Sequence, residues 1–237
     1  MSRTGKRFKA LLEKVDTSKL YTISEAVAVA KECATAKFDE SLELHIRLGV
    51  DPRHADQQVR STIVLPFGTG HTKKVCVLAL GDKQKEAEEA GADIVGGEDL
   101  VQEIAGGRLD FDAVIATPDI MKSAGRLGKV LGPRGLMPSA KANTVTFDIA
   151  SAVKEIKAGR VEFRVDKAAI IHNAVGKMSF PTENLEANVK ALIRAIVKVR
   201  PSSVKGTYMK GISLSTTMGP GLNIDPVQAT KDVAVEQ

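Results

Sequence analysis

The 237-residue chain has no tryptophan, and aromatic residues make up only 4% of it. Stacking platforms for single-stranded nucleic acid are built from aromatic side chains, so that mode of recognition has little to work with here. Cysteine is scarce too. Cys33 and Cys76 have no CxxC spacing and lie within apolar patterns, as expected of buried thiols in a reducing cytoplasm. No run of eighteen apolar residues exists, and "MSRTGKRFKALLEKVD" is cationic but leads into a charged amphipathic helix instead of an apolar core segment. These absences argue against membrane spanning and secretion.

The signatures of catalysis are missing as well. A phosphate loop reads GxxxxGK followed by Ser or Thr, yet Gly128-Lys129 is followed by Val130 and the earlier glycine would fall at Ser123. "GTGHTK" begins like a dinucleotide fingerprint but ends in Lys73 and lies between two strand-like stretches. GxSxG and HExxH do not occur. His45, His54, His71 and His172 lack metal-ligand spacing, and no cysteine pair accompanies them. Acidic pairs such as Asp110 with Asp112 and Glu98 with Asp99 flank elements, where caps and solvated faces account for them. No enzyme, no cofactor and no metal site is expected.

What the chain does have is a globular composition, 43% hydrophobic and 27% charged, with a formal net charge of +5. Residues 1–67 carry 11 Lys/Arg against 9 Asp/Glu, residues 68–159 carry 12 against 13, and residues 160–237 carry 11 against 7. Within the middle, residues 68–119 hold 5 bases and 11 acids, whereas residues 120–159 hold 7 and 2. Such segregation points to a directed electrostatic surface, typically for phosphates. Its densest part is "GRLGKVLGPRGLMPSAKAN", from Gly125 to Asn143, which carries Arg126, Lys129, Arg134 and Lys141 and no acid. Its glycines lack phosphate-cradle spacing, so it reads as a structured cationic loop with proline-fixed and glycine-permitted turns.

Strand style divides the chain in three. In the first part "TISEAVAVAKECA" opens with a capping box, Thr22 to Glu25, and puts Val27, Ala30 and Ala34 on one helical face. "SLELHIRLG" alternates Leu42, Leu44, Ile46 and Leu48 with Ser41, Glu43, His45 and Arg47, a half-buried strand with a free polar face. From residue 68 the strands become continuous apolar runs, "VCVLAL" and "FDAVIATP", separated by short helices, as in a parallel sheet covered on both faces; "TVTFD" and the helix "IASAVKEIKAG" complete this part. After Gly159 the alternating style returns with "RVEFRVD", a long helix bearing Leu185, Val189, Leu192, Ile196 and Val199, and "GTYMKGISLSTTMG" as the last ordered element. The tail after Asp225 reads as loose. The expected organisation is a discontinuous domain, 1–67 with 160–237, interrupted by a parallel-sheet domain at 68–159.

Gripping a nucleic-acid backbone needs cations and polar donors on rigid elements, and the polar strand face and "SLSTTMGPG" supply them. There Ser213, Ser215, Thr216 and Thr217 stand beside Met218, Gly219 and Pro220; a Thr-rich edge strand ending in a turn is the plainer alternative. With few aromatics, a folded RNA read by shape, backbone and 2′-OH is the better expectation, and no helix-turn-helix or zinc-finger pattern supports DNA.

Together "AKFDESLELHIRLGVDPR", "EAGADIVGGEDL", "GRLGKVLGPRGLMP", "KAGRVEFRVDK", "IHNAVGKMSFP" and "STTMGPG" resemble the bacterial large-subunit ribosomal protein L-one family, in order and over nearly the whole chain. Asn143 and Ala169 stand where the resemblance leads one to expect glycine. It implies an α/β protein of two domains, a discontinuous α+β sandwich with an inserted Rossmann-like parallel-sheet domain. It implies a cytoplasmic structural protein that binds large-subunit rRNA beside other components of that subunit. It also implies the mobile stalk near the exit site, where it assists release of deacylated tRNA, and repression of translation through its own operon's mRNA. Carried onto matching positions, the RNA surface comprises Lys37, Phe38, Ser41, Glu43, Asp166, Lys167, His172, Lys177, Ser213, Ser215, Thr217, Met218 and Gly219, with Arg126, Lys129, Arg134 and Lys141 as secondary contacts. The competing readings are a nucleotide-binding α/β enzyme and a DNA-binding repressor.

Overall fold

A computed structural model of the chain describes residues 5–235. Helices α1 (Lys6–Leu12) and α2 (Ile23–Cys33) precede strands β1 (Ser41–Leu48) and β2 (Arg60–Val64). Then come β3 (Val75–Leu78), α3 (Asp82–Glu89), β4 (Ile94–Gly96), α4 (Glu98–Ala105), β5 (Ala113–Ala116), the short helical segments α5 (Met121–Ala124) and α6 (Gly128–Leu131), and α7 (Ile149–Lys157). Strands β6 (Arg160–Arg164) and β7 (Ile170–Lys177), helix α8 (Thr182–Lys198), β8 (Met209–Thr216), β9 (Gly221–Ile224) and α9 (Pro226–Val235) follow. The chain forms two compact units, Met1–Gly70 with Phe163–Gln237, and His71–Glu162.

In the first unit the order is β7-β1-β8-β9, all antiparallel. Leu42, Leu44, Ile46 and Leu48 face a core closed by α2, α8 and α9, because strict alternation sends every second side chain to one face. Both halves of the Thr22/Glu25 capping box form at the start of α2. On α8 Leu185, Val189, Leu192 and Ile196 are buried; Val199 lies at the C-cap and is only partly so. Asn188, fully buried on α8, accepts from Phe67 N (3.2 Å) and donates to Gly68 O (2.9 Å) and Val175 O (2.8 Å).

Two expectations about this unit are corrected. The tail after Asp225 is helix α9: Pro226 takes the first helical position, the Asp225 carboxylate accepts from Val227 N at 2.8 Å, and Ala229 and Val233 are buried one turn apart. The strand ending in "STTMG" is not the last ordered element either, since β9 pairs with it and becomes the sheet's edge.

In the second unit the parallel sheet has order β4-β3-β5. Alternate residues of β3 enter different cores: Cys76 and Leu78 pack with Leu100, Ile104, Leu127 and Leu131, whereas Val75 and Val77 pack with Ala87, Ile149, Val153 and Ile156. "TVTFD" contributes one bridge, Val145 to Ala116, instead of a full strand. The fold is therefore mixed α/β with an antiparallel and a parallel sheet. Cys33 and Cys76 are both buried free thiols, and burial pushes Cys76 up to about 12.

The basic segment is more regular than its glycines suggest. Residues 121–131 are nearly continuous helical turns, with Ala124, Leu127 and Leu131 buried at helical spacing and Arg126 and Lys129 exposed. The last turn closes as a Schellman motif: Leu136 N donates to Leu131 O (3.0 Å), Gly135 N to Gly132 O (3.1 Å), and Gly135 is left-handed at φ 70°. The loop reading is thus corrected for residues 125–131, a capped helical stretch, because burying the 124/127/131 stripe outweighs the low helix propensity of Gly125, Gly128 and Gly132; residues 132–143 are turns with one 3₁₀ segment at Ala140–Ala142.

Candidate nucleic-acid interface

The outward face of the four-stranded sheet gathers polar side chains from distant parts of the chain. Register places His45 of β1 between His172 of β7 and Ser213 of β8, and Glu43 opposite Ser215. The imidazoles meet at 2.9 Å through their Nδ1 atoms, so one of these nitrogens carries the shared proton. His45 Nε2 lies 3.1 Å from Ser215 Oγ and 3.9 Å from Glu43, and Ser213 Oγ donates to Asn223 Oδ1 of β9 at 3.2 Å. Burial, then the neighbouring His172, lowers the pKa of His45 against the opposing pull of Glu43.

At one end of this face three segments meet. Lys177 Nζ donates to Ser41 Oγ (2.9 Å) and Asp39 O (3.3 Å), Ser41 N donates to Thr217 Oγ1 (2.9 Å), and Thr217 N to Ser41 O (3.1 Å). Beneath them Glu40, 1% exposed, accepts from Ala36 N and Met218 N, each at 2.9 Å. Burial alone would raise its pKa; the neighbouring Thr216 hydroxyl and the two amides outweigh that and hold it below the usual glutamate value of 4.5. Arg7 of α1 donates to Met218 O at 2.8 Å. So fixed, Met218 stays half exposed, as does Phe38, although both are large and apolar. At Gly219 an added Cβ would lie 2.4 Å from Thr216 Oγ1, so this turn has room only for hydrogen.

At the other end is the tight turn that joins β6 to β7, strands of two different sheets. Asp166 N donates to Ile170 O (2.9 Å), Ala169 N to Asp166 O (3.2 Å), and Ala169 is left-handed at φ 62°. Asp166 Oδ1 accepts from Ile170 N and Ala168 N, its Oδ2 lies 3.6 Å from His172 Nε2, and the Ile170 amide above all lowers its pKa. Lys167 sits exposed at the tip.

The thirteen primary candidates therefore all lie in the first unit, in three groups: Lys37, Phe38, Ser41, Lys177 and Thr217–Gly219 at one end, Glu43, His172, Ser213 and Ser215 on the strands, and Asp166 with Lys167 at the β6–β7 turn. Arg126, Lys129, Arg134 and Lys141 are exposed on the second unit. Sequence reasoning missed Glu40, Arg7 and Asn223. Only the position of Glu40 at the mouth of an alternating strand hinted at a role. Arg160, counted with the basic C-terminal part, is 6% exposed and donates to Ala142 O and, at 3.1 Å, to Glu155.

This face can donate to and accept from phosphates and ribose hydroxyls on a rigid lattice, and offers no aromatic ladder for bases. Among the described residues no cluster of three or more His, Cys, Asp or Glu could hold a metal ion. Residues 30–220 match the ribosomal protein L1p/L10e family. The chain belongs to that family. It is thus a ribosomal RNA-binding protein of the large subunit, structural in role and not an enzyme. The L1p/L10e match spans every candidate from Lys37 to Gly219, so both the sheet face and the basic helical stretch fall inside it. Among the described residues no helix is long and apolar enough to cross a membrane.

Proposed function

We propose that the outer face of the β7-β1-β8-β9 sheet is the surface that holds a folded segment of large-subunit rRNA. The observation that carries this reading is the convergence of Ser41, Lys177 and Thr217–Gly219, three segments far apart in sequence, which bond one another while the Met218 amide is held by the buried Glu40 carboxylate, leaving Met218 and Phe38 exposed. Phosphates approach Lys37, Lys167 and Lys177, hydroxyls of Ser213, Ser215 and Thr217 meet ribose 2′-OH groups, and Met218 packs on the RNA's shallow groove. Glu43 and Asp166 accept 2′-OH hydrogens instead of opposing phosphate.

On this reading the first unit anchors the protein and the second presents Arg126, Lys129, Arg134 and Lys141 to rRNA or to a passing deacylated tRNA, as in a stalk beside the exit site. A similar fold in the protein's own operon mRNA would compete for the same face, so surplus free protein would repress its own synthesis. Thr217→Ala or Met218→Ala is expected to cost about 1–3 kcal/mol in binding. Titration of an rRNA stalk fragment at fixed salt checks this, and wild-type affinity in both variants would end the assignment.

A further inference from the structure

Beyond the sheet face, the β2–β6 ribbon borders a cleft of about 510 Å³ that no residue proposed so far occupies except at its rim. Arg60, Arg164 and Lys167 line it, Asp166 stands at its lip, and the buried Val59 and Val165 lie between, joined by Val165 N to Val59 O at 3.0 Å. Of these, Arg164 and Lys167 face the one carboxylate of the lining. That carboxylate is already held by the amides of Ala168 and Ile170 and lies beside His172. Neither Arg164 nor Lys167 has an ion-pair partner among the described residues.

We infer that this cleft is a second RNA subsite, taking the sugar–phosphate backbone of the same RNA where it runs past the β6–β7 turn, with Arg164 as its principal phosphate ligand. The inference rests on the reading of the sheet face as the RNA surface. Three features select this occupant. No aromatic residue lines the cleft to stack a base, which favours the nucleic-acid backbone over a nucleobase. A guanidinium fork can bind phosphate oxygens in pairs. And the cleft is continuous with that face, since Asp166 reaches His172 on one side while Lys167 borders the cleft on the other.

Arg164→Gln, Arg164→Lys and Thr217→Ala separate the possibilities in titrations of the full-length protein with an rRNA stalk fragment across a salt series. Arg164→Gln is expected to weaken binding roughly tenfold at low salt and to reduce the log–log salt slope by about 0.7–0.9, the share of one phosphate. Arg164→Lys keeps the charge and therefore the slope, with a smaller loss of affinity. Thr217→Ala weakens binding with the slope unchanged. Because Arg164 is exposed, all melting temperatures should stay close to wild type for its variants. If Thr217→Ala weakens binding but Arg164→Gln matches wild type in affinity and slope, the cleft is not a subsite and the sheet reading stands. If the wild-type protein fails to bind, or Thr217→Ala and Met218→Ala both match wild-type affinity, the sheet reading falls and takes the cleft with it.

Discussion

Glu40 lies buried at one end of the sheet, its charge held by the main-chain amides of Ala36 and Met218. Glutamine cannot replace it, since one end of its amide would turn N–H toward a main-chain N–H. Glu40→Gln is expected to cost about 1–3 kcal/mol of stability near neutral pH, the penalty for a buried unpaired donor, and to loosen the Met218 turn. The wild-type protein carries the matching pH dependence. A carboxyl whose folded pKa is depressed contributes stability above its unfolded value of about 4.5, and loses it as pH falls through the folded value. His45, also depressed, stabilises the fold while neutral and loses that contribution as pH falls through its folded pKa, below 6.5. Denaturant titrations at stepped pH should therefore show wild-type stability declining from pH 6 downward, with the decline below pH 4.5 made smaller, not abolished, in Glu40→Gln, because Asp166 and other depressed carboxyls remain. An unchanged acid limb in that variant would refute the role given to Glu40.

Turns form the next scale, and two of them make opposite demands. Ala169 occupies the left-handed position of the β6–β7 turn, where glycine carries no Cβ penalty, and Asn143 holds the other non-glycine positive φ among the described residues, at 49°. Asparagine tolerates that region; alanine does so less well. Ala169→Gly is expected to raise stability by up to about 1 kcal/mol, net of the extra freedom it gives the unfolded chain. Gly135→Ala, at the Schellman cap of the basic helical stretch, should lower it by about 1 kcal/mol. Nothing lies within 4 Å of a Cβ built on Gly135, so that loss is conformational and not steric. Thermal unfolding of the two variants checks both signs at once. How far these elements were legible depended on periodicity. The strand of Leu42 to Leu48 and the α8 stripe stood out because alternation and 3.6-residue spacing are local properties. The basic segment concealed its 124/127/131 stripe behind glycines, and α9 was overlooked although Asp225-Pro226 is a helix-start signal.

Across the whole molecule the charge pattern separates two roles. Base in the last part of the chain is divided between the sheet face and its turns, at Lys167 and Lys177, and helix α8, at Lys190, Arg194 and Lys198, whereas residues 120–159 place theirs on an otherwise acidic second unit. Reversing Arg134 and Lys141 to glutamate alters exposed positions and should leave folding within about 0.5 kcal/mol. The double variant is expected to bind the stalk fragment or tRNA more weakly, with a shallower salt dependence. Equal binding and equal tRNA release by variant and wild type would reduce the segment to a structural turn.

The sequence by itself determined the two strand styles, the absence of catalytic motifs, the segregation of charge and the family, because each is written in local order and residue type. Only the tertiary structure decided that Ser41, Lys177 and Thr217 share hydrogen bonds, that His45 meets His172, that Arg160 is buried in the second unit, and that Arg60, Arg164 and Lys167 border one cleft. Those contacts join residues up to 176 positions apart, and they follow from strand register and from which chain segments pair, neither of which any short window of sequence contains.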